Sequence, residues 1–336
     1  MPEGHVLHRL ALAFGELFGG HVVEVSSPQG RFAAGAELID GWRLVATDAH
    51  GKHLFLGFAP PDAGVASEAA RGEATGAGEY IALAQQGPGA EPAGLRWLRV
   101  HLGLYGSWTF DGDPEFHAPH SIGAPRRRVG EEERGLPSRE APSADGDGWQ
   151  VPEPRGQVRA RLVVGHGVAD LTGPSACEIV DVAAKHAVHA RLGPDPLRAD
   201  GDVEDFVSRV RRRRRPIGDL LMDQSIIAGV GNIYRAEALY RARVHPWRLG
   251  VNVPPARLRE IWHDLVALMT DGMDTGEIVT TDPHDRREEN DHWYVYHRSG
   301  KPCLRCDSTI VEDLMANRRV FWCPREQRRP PRRAQA

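Results

Sequence analysis

The first apolar stripe of the chain is Leu7, Leu10, Phe14 and Leu17, spaced by three and four residues, and it predicts an amphipathic helix over His5 to Phe18 that stops at Gly19-Gly20. The period then shortens. Runs at His21 to Val25, Glu37 to Ile39, Arg43 to Ala46 and His53 to Phe58 read as strands. Between the last two, Asp48-Ala49-His50-Gly51-Lys52 has the composition of a hairpin turn with Lys52 at its tip. Alternation returns from Arg96 to Trp108, where Leu98, Val100, Leu102 and Leu104 alternate with Trp97, Arg99, His101 and Tyr105, and strand character resumes at Val158 to Val164. A helical pattern follows from Ser175 to about Leu192. The stretches at about 59–94 and 111–157 show little periodicity and read as insertions.

Gly193-Pro194-Asp195-Pro196-Leu197 marks a boundary, and from Asp202 the pattern is helical, with segments at Asp219 to Ser225, Ile233 to Ala242 and Pro255 to Met273. Arg211 to Arg215 reads as a solvated helix face ended by Pro216. Gly276 to Asn290 is acidic and irregular, and Arg328 to Ala336 is too polar to fold alone. At 336 residues the chain suggests two or three domains. It has no apolar run approaching the roughly 18 residues of a membrane span, so a soluble, cytoplasmic protein with no membrane partner is expected.

The net charge of −4 gives no hint of a nucleic-acid partner, but arginines gather in the second half while acids collect in loops such as Gly130-Glu131-Glu132-Glu133. Lysine appears only at Lys52, Lys185 and Lys301, in a chain that otherwise uses arginine for its cations. Of the four cysteines Cys177 stands alone, whereas Cys303, Cys306 and Cys323 cluster, which argues for a metal site and against a disulfide scaffold. His186 and His189 have ligand-like spacing but read as a helix-surface pair.

Two stretches carry chemistry. Removal of Met1 would leave Pro2 with a free secondary amine of pKa near ~8, about a tenth of it unprotonated near neutral pH. Such an amine can attack a sugar carbon to give an iminium, with Glu3 beside it to carry protons. Taken alone, these residues also fit a frayed chain start. The second stretch, Gln224 to Leu239, reads as helix, glycine-punctuated turn, Asn232, helix. Its exposed N–H groups and Asn232 can hold a phosphate, or Asn232 can simply cap the second helix.

This second stretch resembles the helix-two-turn-helix of the formamidopyrimidine-DNA glycosylase and endonuclease VIII family. The resemblance extends to Met1-Pro2-Glu3-Gly4, Gly51-Lys52, His101 to Gly106, Leu192 to Leu197 and Tyr294 to Gln327, in the family order. It implies an α+β fold: an N-terminal catalytic β-sandwich domain with a leading helix over 1–193, a helix-two-turn-helix domain over 194–289, a zinc-finger hairpin over 290–328 and a disordered tail over 329–336. It further implies a bifunctional DNA glycosylase and abasic-site lyase of base excision repair, acting as a monomer on damaged duplex DNA and associated with the nucleoid when bound. Pro2 matches the nucleophile, Glu3 the acid/base and Lys52 the turn lysine of the site. His101 and Asn232 match phosphate contacts, Leu104 and Tyr105 the side chains that fill the void left by an extruded base, and Arg318 the fingertip arginine.

Pro2-Glu3-Gly4 with Leu104-Tyr105 looks more like the endonuclease VIII branch, which favours oxidised pyrimidines; the alternative is a formamidopyrimidine-type enzyme for oxidised purines. Two other classes are weighed: a noncatalytic damaged-DNA-binding protein, which the intact Pro2, Glu3 and Lys52 argue against, and a zinc-dependent hydrolase, which fails because three thiolates make a closed structural site rather than an open catalytic one. The chain departs from the family twice. Val6 stands where many members have a second glutamate, and Glu326 stands where the family finger has its fourth cysteine. The resemblance to the family finger implies a structural zinc on Cys303, Cys306, Cys323 and Glu326; the competing view is a finger without zinc, held by packing of Val320, Phe321 and Trp322.

Overall fold

A computed structural model describes residues 2–61, 94–124 and 149–329. Most of both insertions, and the tail from residue 330, lie outside the described residues. The chain forms two compact units, Pro2 with Val6–Val188, and Glu3–His5 with the chain from His189 onward.

Among the described residues the first unit is built on nine antiparallel strands: β1 (Val22–Ser26), β2 (Trp42–His50), β3 (His53–Ala59), β4 (Arg96–His101), β5 (Ser107–Gly112), β6 (Ser121–Gly123), β7 (Val158–Val164), β8 (Gly167–Thr172) and β9 (Ala176–Val180). They bond in the order β6-β5-β8-β7-β1-β2-β3-β4-β9. β1 changes partner midway, pairing β2 through Val22 and Val23 and β7 through Glu24, Val25 and Ser26. A strand shared in this way is the corner of the sandwich. Leu54, Leu98 and Val100 from one half and Trp108, Leu162 and Leu171 from the other meet in one core. The leading helix α1 (Gly4–Phe18) sends its predicted stripe into the same core, with the Phe14 ring 4.8 Å from that of Trp108.

Several strand readings change. Glu37 to Ile39 is not a strand, since Glu37 ends the short helix α2 (Ala33–Glu37). Ser175 to Val180 is not helical: it contains β9, which pairs along the edge of β4, and only then begins helix α3 (Val182–Arg191). A cross-strand partner outweighed the three-residue spacing of Ala176 and Ile179. β8 had no sequence reading, and β6 falls inside the stretch read as an insertion. The expected strand Arg96 to Trp108 breaks into β4 and β5 at a turn where Gly103 has φ +67. β2 continues to His50, which pairs with His53, so only Gly51 and Lys52 form the hairpin turn. Gly51, at φ +61, takes the conformation that two-residue hairpin turns require.

The second unit contains helices α4 (Val203–Arg211), α5 (Ile217–Leu220), α6 (Asn232–Arg241) and α7 (Pro255–Thr275). Asp202 caps α4 by accepting from the N–H groups of Glu204 and Asp205 at 2.7 and 3.2 Å. Gly276, at φ +83, ends α7. Phe206, Val210, Leu220, Tyr234, Leu258, Ile261 and Met269 form the core between these helices. The arginine run is only partly helical. α4 stops at Arg211, and Arg215 lies beyond it, paired with Asp219 and Asp223. A hairpin of β10 (Val311–Met315) and β11 (Arg318–Trp322) follows, turning at Ala316 and Asn317, both of positive φ. Among the described residues no helix is long and apolar enough to cross a membrane.

Two substitutions probe this packing. Phe14→Ala removes a fully buried ring and is expected to cost about 3–5 kcal/mol, whereas Asp202→Ala should cost about 1 kcal/mol. Denaturant titration of both variants measures the difference, and equal small losses would show that Phe14 is not packed as described.

Candidate functional site

The second unit gathers its polar residues around the start of α6. A helix leaves its first N–H groups without intrahelical acceptors, and here the acceptor is the side chain of Glu3. Its Oε2 accepts from Gly231 at 2.8 Å and from Tyr234 at 3.4 Å, and its Oε1 accepts from Ile233 at 2.8 Å. The carboxylate is fully buried, with its charge at the positive end of the helix. Space for it exists because residue 231 is glycine: a Cβ there would lie 2.4 Å from Glu3 Cδ. Gly4 is equally constrained. Its N–H donates to the Gly229 carbonyl at 2.8 Å, and a Cβ on Gly4 would meet Gly229 Cα at 2.6 Å. The Gln224 side chain braces the turn from inside, accepting from Gly229 N–H and donating to the Val230 carbonyl, each at 3.0 Å.

Asn232 is the first residue of α6 and does not cap it; Gly231 occupies the cap position. The Asn232 amide donates to the Arg319 carbonyl at 3.2 Å, while its oxygen accepts from Arg235. Arg235 is almost fully buried and also reaches the Arg319 carbonyl, at 2.7 Å. Burial, and then the charge of Arg318, push its pKa down to about 10. Arg318 is exposed at the start of β11. With Arg215, Arg235, Asp219 and Asp223 it lines a cavity of about 230 Å3. The sequence reading missed Arg235, although an arginine three residues from Asn232 on an otherwise buried face was the available signal.

Glu237 was also missed. It is fully buried on α6 and accepts from Thr280 Oγ1 at 2.6 Å and from the N–H groups of Tyr294, Val295 and Tyr296 at 2.7, 2.9 and 2.8 Å. These bonds fasten the segment leading into the finger onto the helix.

In the first unit Lys52 sits at the β2–β3 turn and His101 at the end of β4. They are close enough that Lys52, after burial, depresses the His101 pKa. Leu104 and Tyr105 occupy the turn after β4, 52% and 80% exposed, so Leu104 leaves the core face that the alternation assigned to it. Pro2 is buried, and with Met1 in place its nitrogen is a tertiary amide without nucleophilic character. Lys185 proves to be a buried cation, 3.2 Å from Asp48 and 3.7 Å above the Trp97 ring.

The thiols of Cys303, Cys306 and Cys323 all lie within 4.8 Å of one another, with Cys306 and Cys323 sulfurs 3.5 Å apart. Thiolates about 2.3 Å from a tetrahedral zinc stand about 3.7 Å apart, so the cluster fits that ion. Glu326, the expected fourth ligand, stands outside the cluster. Its carboxylate pairs with the Arg243 guanidinium at 3.3 Å, and it is its backbone N–H that points at the Cys323 sulfur, at 3.4 Å.

Residues 192–284 match the Formamidopyrimidine-DNA glycosylase H2TH domain. The chain is 39% identical over 330 residues to proteins named Endonuclease 8 1 in Mycobacterium tuberculosis and Mycobacterium bovis, covering 96% of this chain and 98% of theirs. It is also 39% identical over 147 residues to a formamidopyrimidine-DNA glycosylase of Chloroflexus aurantiacus, covering 43% of this chain and 52% of that protein. The fold is similar to that of the Lactococcus lactis Fpg solved in complex with an abasic site containing DNA, with a TM-score of 0.63 at 16% identity over 97% of this chain and 100% of that one. With identity of this level running almost end to end, and with the helix-two-turn-helix domain matched over the turn and helix that hold Asn232, the chain belongs to the formamidopyrimidine-DNA glycosylase and endonuclease VIII family.

Proposed function

We propose that the protein is a bifunctional DNA glycosylase and abasic-site lyase of base excision repair, and that oxidised pyrimidines are its preferred bases. The observation that carries this reading is the seat of Glu3: a carboxylate fixed on the turn before Asn232 and joined by one peptide bond to Pro2. Once Met1 is removed, the Pro2 amine attacks C1′ of the damaged nucleotide, the base departs and the sugar ring opens to an iminium. The iminium acidifies the proton on C2′, and its loss expels the 3′ phosphate; loss of a second proton, from C4′, then expels the 5′ phosphate. Glu3 serves as the acid and base of these steps, and Lys52 supplies a cation to the site and an adjacent phosphate. His101, Asn232 and Arg318 hold phosphates, while the exposed Leu104 and Tyr105 fill the gap in the duplex. The near-full-length similarity to proteins named Endonuclease 8 1, against partial similarity to formamidopyrimidine-DNA glycosylases, supports the pyrimidine preference.

Purified protein is expected to lack Met1 and to form a borohydride-stable adduct with DNA carrying an abasic site, and Pro2→Ala should abolish the adduct. Intact-mass analysis showing Met1 retained in protein that still traps would exclude Pro2 as nucleophile. Binding without any adduct would favour the noncatalytic reading, and excision confined to oxidised purines would reassign the branch.

Arg318→Ala should weaken binding to lesion-containing and undamaged duplex alike, because a phosphate contact carries no sequence information. It should also reduce the salt slope by about one. An unchanged slope, measured by titration at several salt concentrations, would remove Arg318 from the interface.

We further propose that Cys303, Cys306 and Cys323 hold zinc, which when bound crosslinks the finger. About one zinc per chain is expected, and Glu326→Cys should tighten it by supplying a fourth thiolate. Because the Glu326 carboxylate pairs with Arg243, Glu326→Gln should change zinc affinity little. A chelator titration of the three forms reads the order directly, and a large loss in Glu326→Gln would restore Glu326 as a ligand.

A further inference from the structure

Each thiol of the finger has a donor, and one of these donors comes from outside the finger. Cys306 is met by the backbone N–H and the hydroxyl of Ser308, and Cys323 by the N–H groups of Arg325 and Glu326, the latter at 3.4 Å. These are turn residues two or three positions after the cysteine they serve. The partner of Cys303 is Tyr240 of α6, whose hydroxyl oxygen lies 3.2 Å from the sulfur. Both residues are buried, Tyr240 at 1% exposure and Cys303 at 0%.

The Tyr240 ring is held from two sides. It stacks on Tyr294 with ring centroids 4.7 Å apart, and the Arg305 guanidinium lies 4.4 Å from the Tyr294 centroid and 5.6 Å from that of Tyr240. Arg305, between Cys303 and Cys306 in the chain, is itself fixed by Asp282 and Asp285 at 2.8 and 2.7 Å. Tyr240 stands three residues after Glu237, so the helix that grips the Tyr294 to Tyr296 backbone also delivers a hydroxyl to the sulfur. Cysteine binds zinc as the thiolate, which has no proton to give. A bond that can run either way with a free thiol then has one direction, from hydroxyl to sulfur. Three thiolates around a divalent ion leave one negative charge, and at Cys303 that charge is cut off from water. A donor there offsets the cost of burying it.

We propose that Tyr240 is a positioning residue of the zinc site, whose hydroxyl donates to the Cys303 thiolate, stabilises the metal-bound finger and withdraws electron density from that sulfur. The proposal rests on the reading of the three cysteines as zinc ligands. Tyr240 keeps its proton and acts through Cys303, as the hydrogen-bond partners of metal ligands do.

The test compares the full-length wild type with Tyr240→Phe, which deletes the hydroxyl and leaves the stacked ring. Zinc affinity is read by competition with a chromogenic chelator, and cobalt(II) is loaded in place of zinc as a spectroscopic probe. Tyr240→Phe should bind zinc about tenfold more weakly, the lower end of what losing a ligand's hydrogen-bond partner costs. Its cobalt form should show sulfur-to-metal charge-transfer bands at lower energy than those of wild type, because a thiolate without its donor gives up an electron more readily. A side chain that only filled space would not move those bands. Equal zinc affinity in the two proteins, or unshifted bands, would overturn the proposal. So would an ionised-tyrosine absorption band that appears when wild type is loaded and is absent from Tyr240→Phe, since Tyr240 would then be a ligand that has lost its proton. Wild type that takes up neither metal is a different result, and it would bring down the zinc reading and the proposal with it.

Discussion

The carboxylate of Glu3 on the open end of α6 is the contact on which the functional geometry of the second unit turns. The residues it joins are 228 to 231 positions apart in the chain, yet the fit is tight enough that a Cβ on Gly4 would run into the Gly229 backbone and one on Gly231 would displace the Glu3 carboxylate itself. The physical demand is simple. A helix N-terminus that is buried needs acceptors for its free N–H groups, and a buried carboxylate needs donors; each answers the other. A chain start that composition alone would leave to fray is thereby held in place, and the residue that would bear the free amine is one bond from a fixed point.

α6 is also the anchor of the finger, through polar side chains rather than apolar packing alone. Asn232 and Arg235 converge on one carbonyl, that of Arg319, and Glu237 collects three consecutive N–H groups at Tyr294 to Tyr296. Burying such groups is costly unless every one is matched, and matching them sets the register of the finger against the helix. Asn232 thus owes its orientation to a residue 87 positions away, and Arg318 begins the strand that carries this carbonyl. Lys185 and Asp48 play the corresponding part in the first unit, where a buried ion pair over Trp97 ties α3 to the β2–β3 sheet.

Local chemistry was readable without coordinates. The stripe of α1, the limits of β7, the tip position of Lys52, the glycine turn before Asn232 and the grouping of three cysteines depend on side-chain period or on residues a few positions apart, and the sequence by itself determined them. What only the tertiary structure decided are matters of long-range partnership. Ser175 to Val180 became strand because β4 had an edge to pair, Leu104 and Tyr105 left the sheet for an exposed turn, and Glu326 turned from the thiols to Arg243. Asn232 does not cap α6 but meets Arg235 and Arg319, and Glu3 accepts from the first N–H groups of the helix in its place. The pattern of a few neighbouring residues specifies how the chain can coil or extend. Which donor a buried carboxylate finds, and which edge a short strand joins, is settled only when segments many residues apart are brought together.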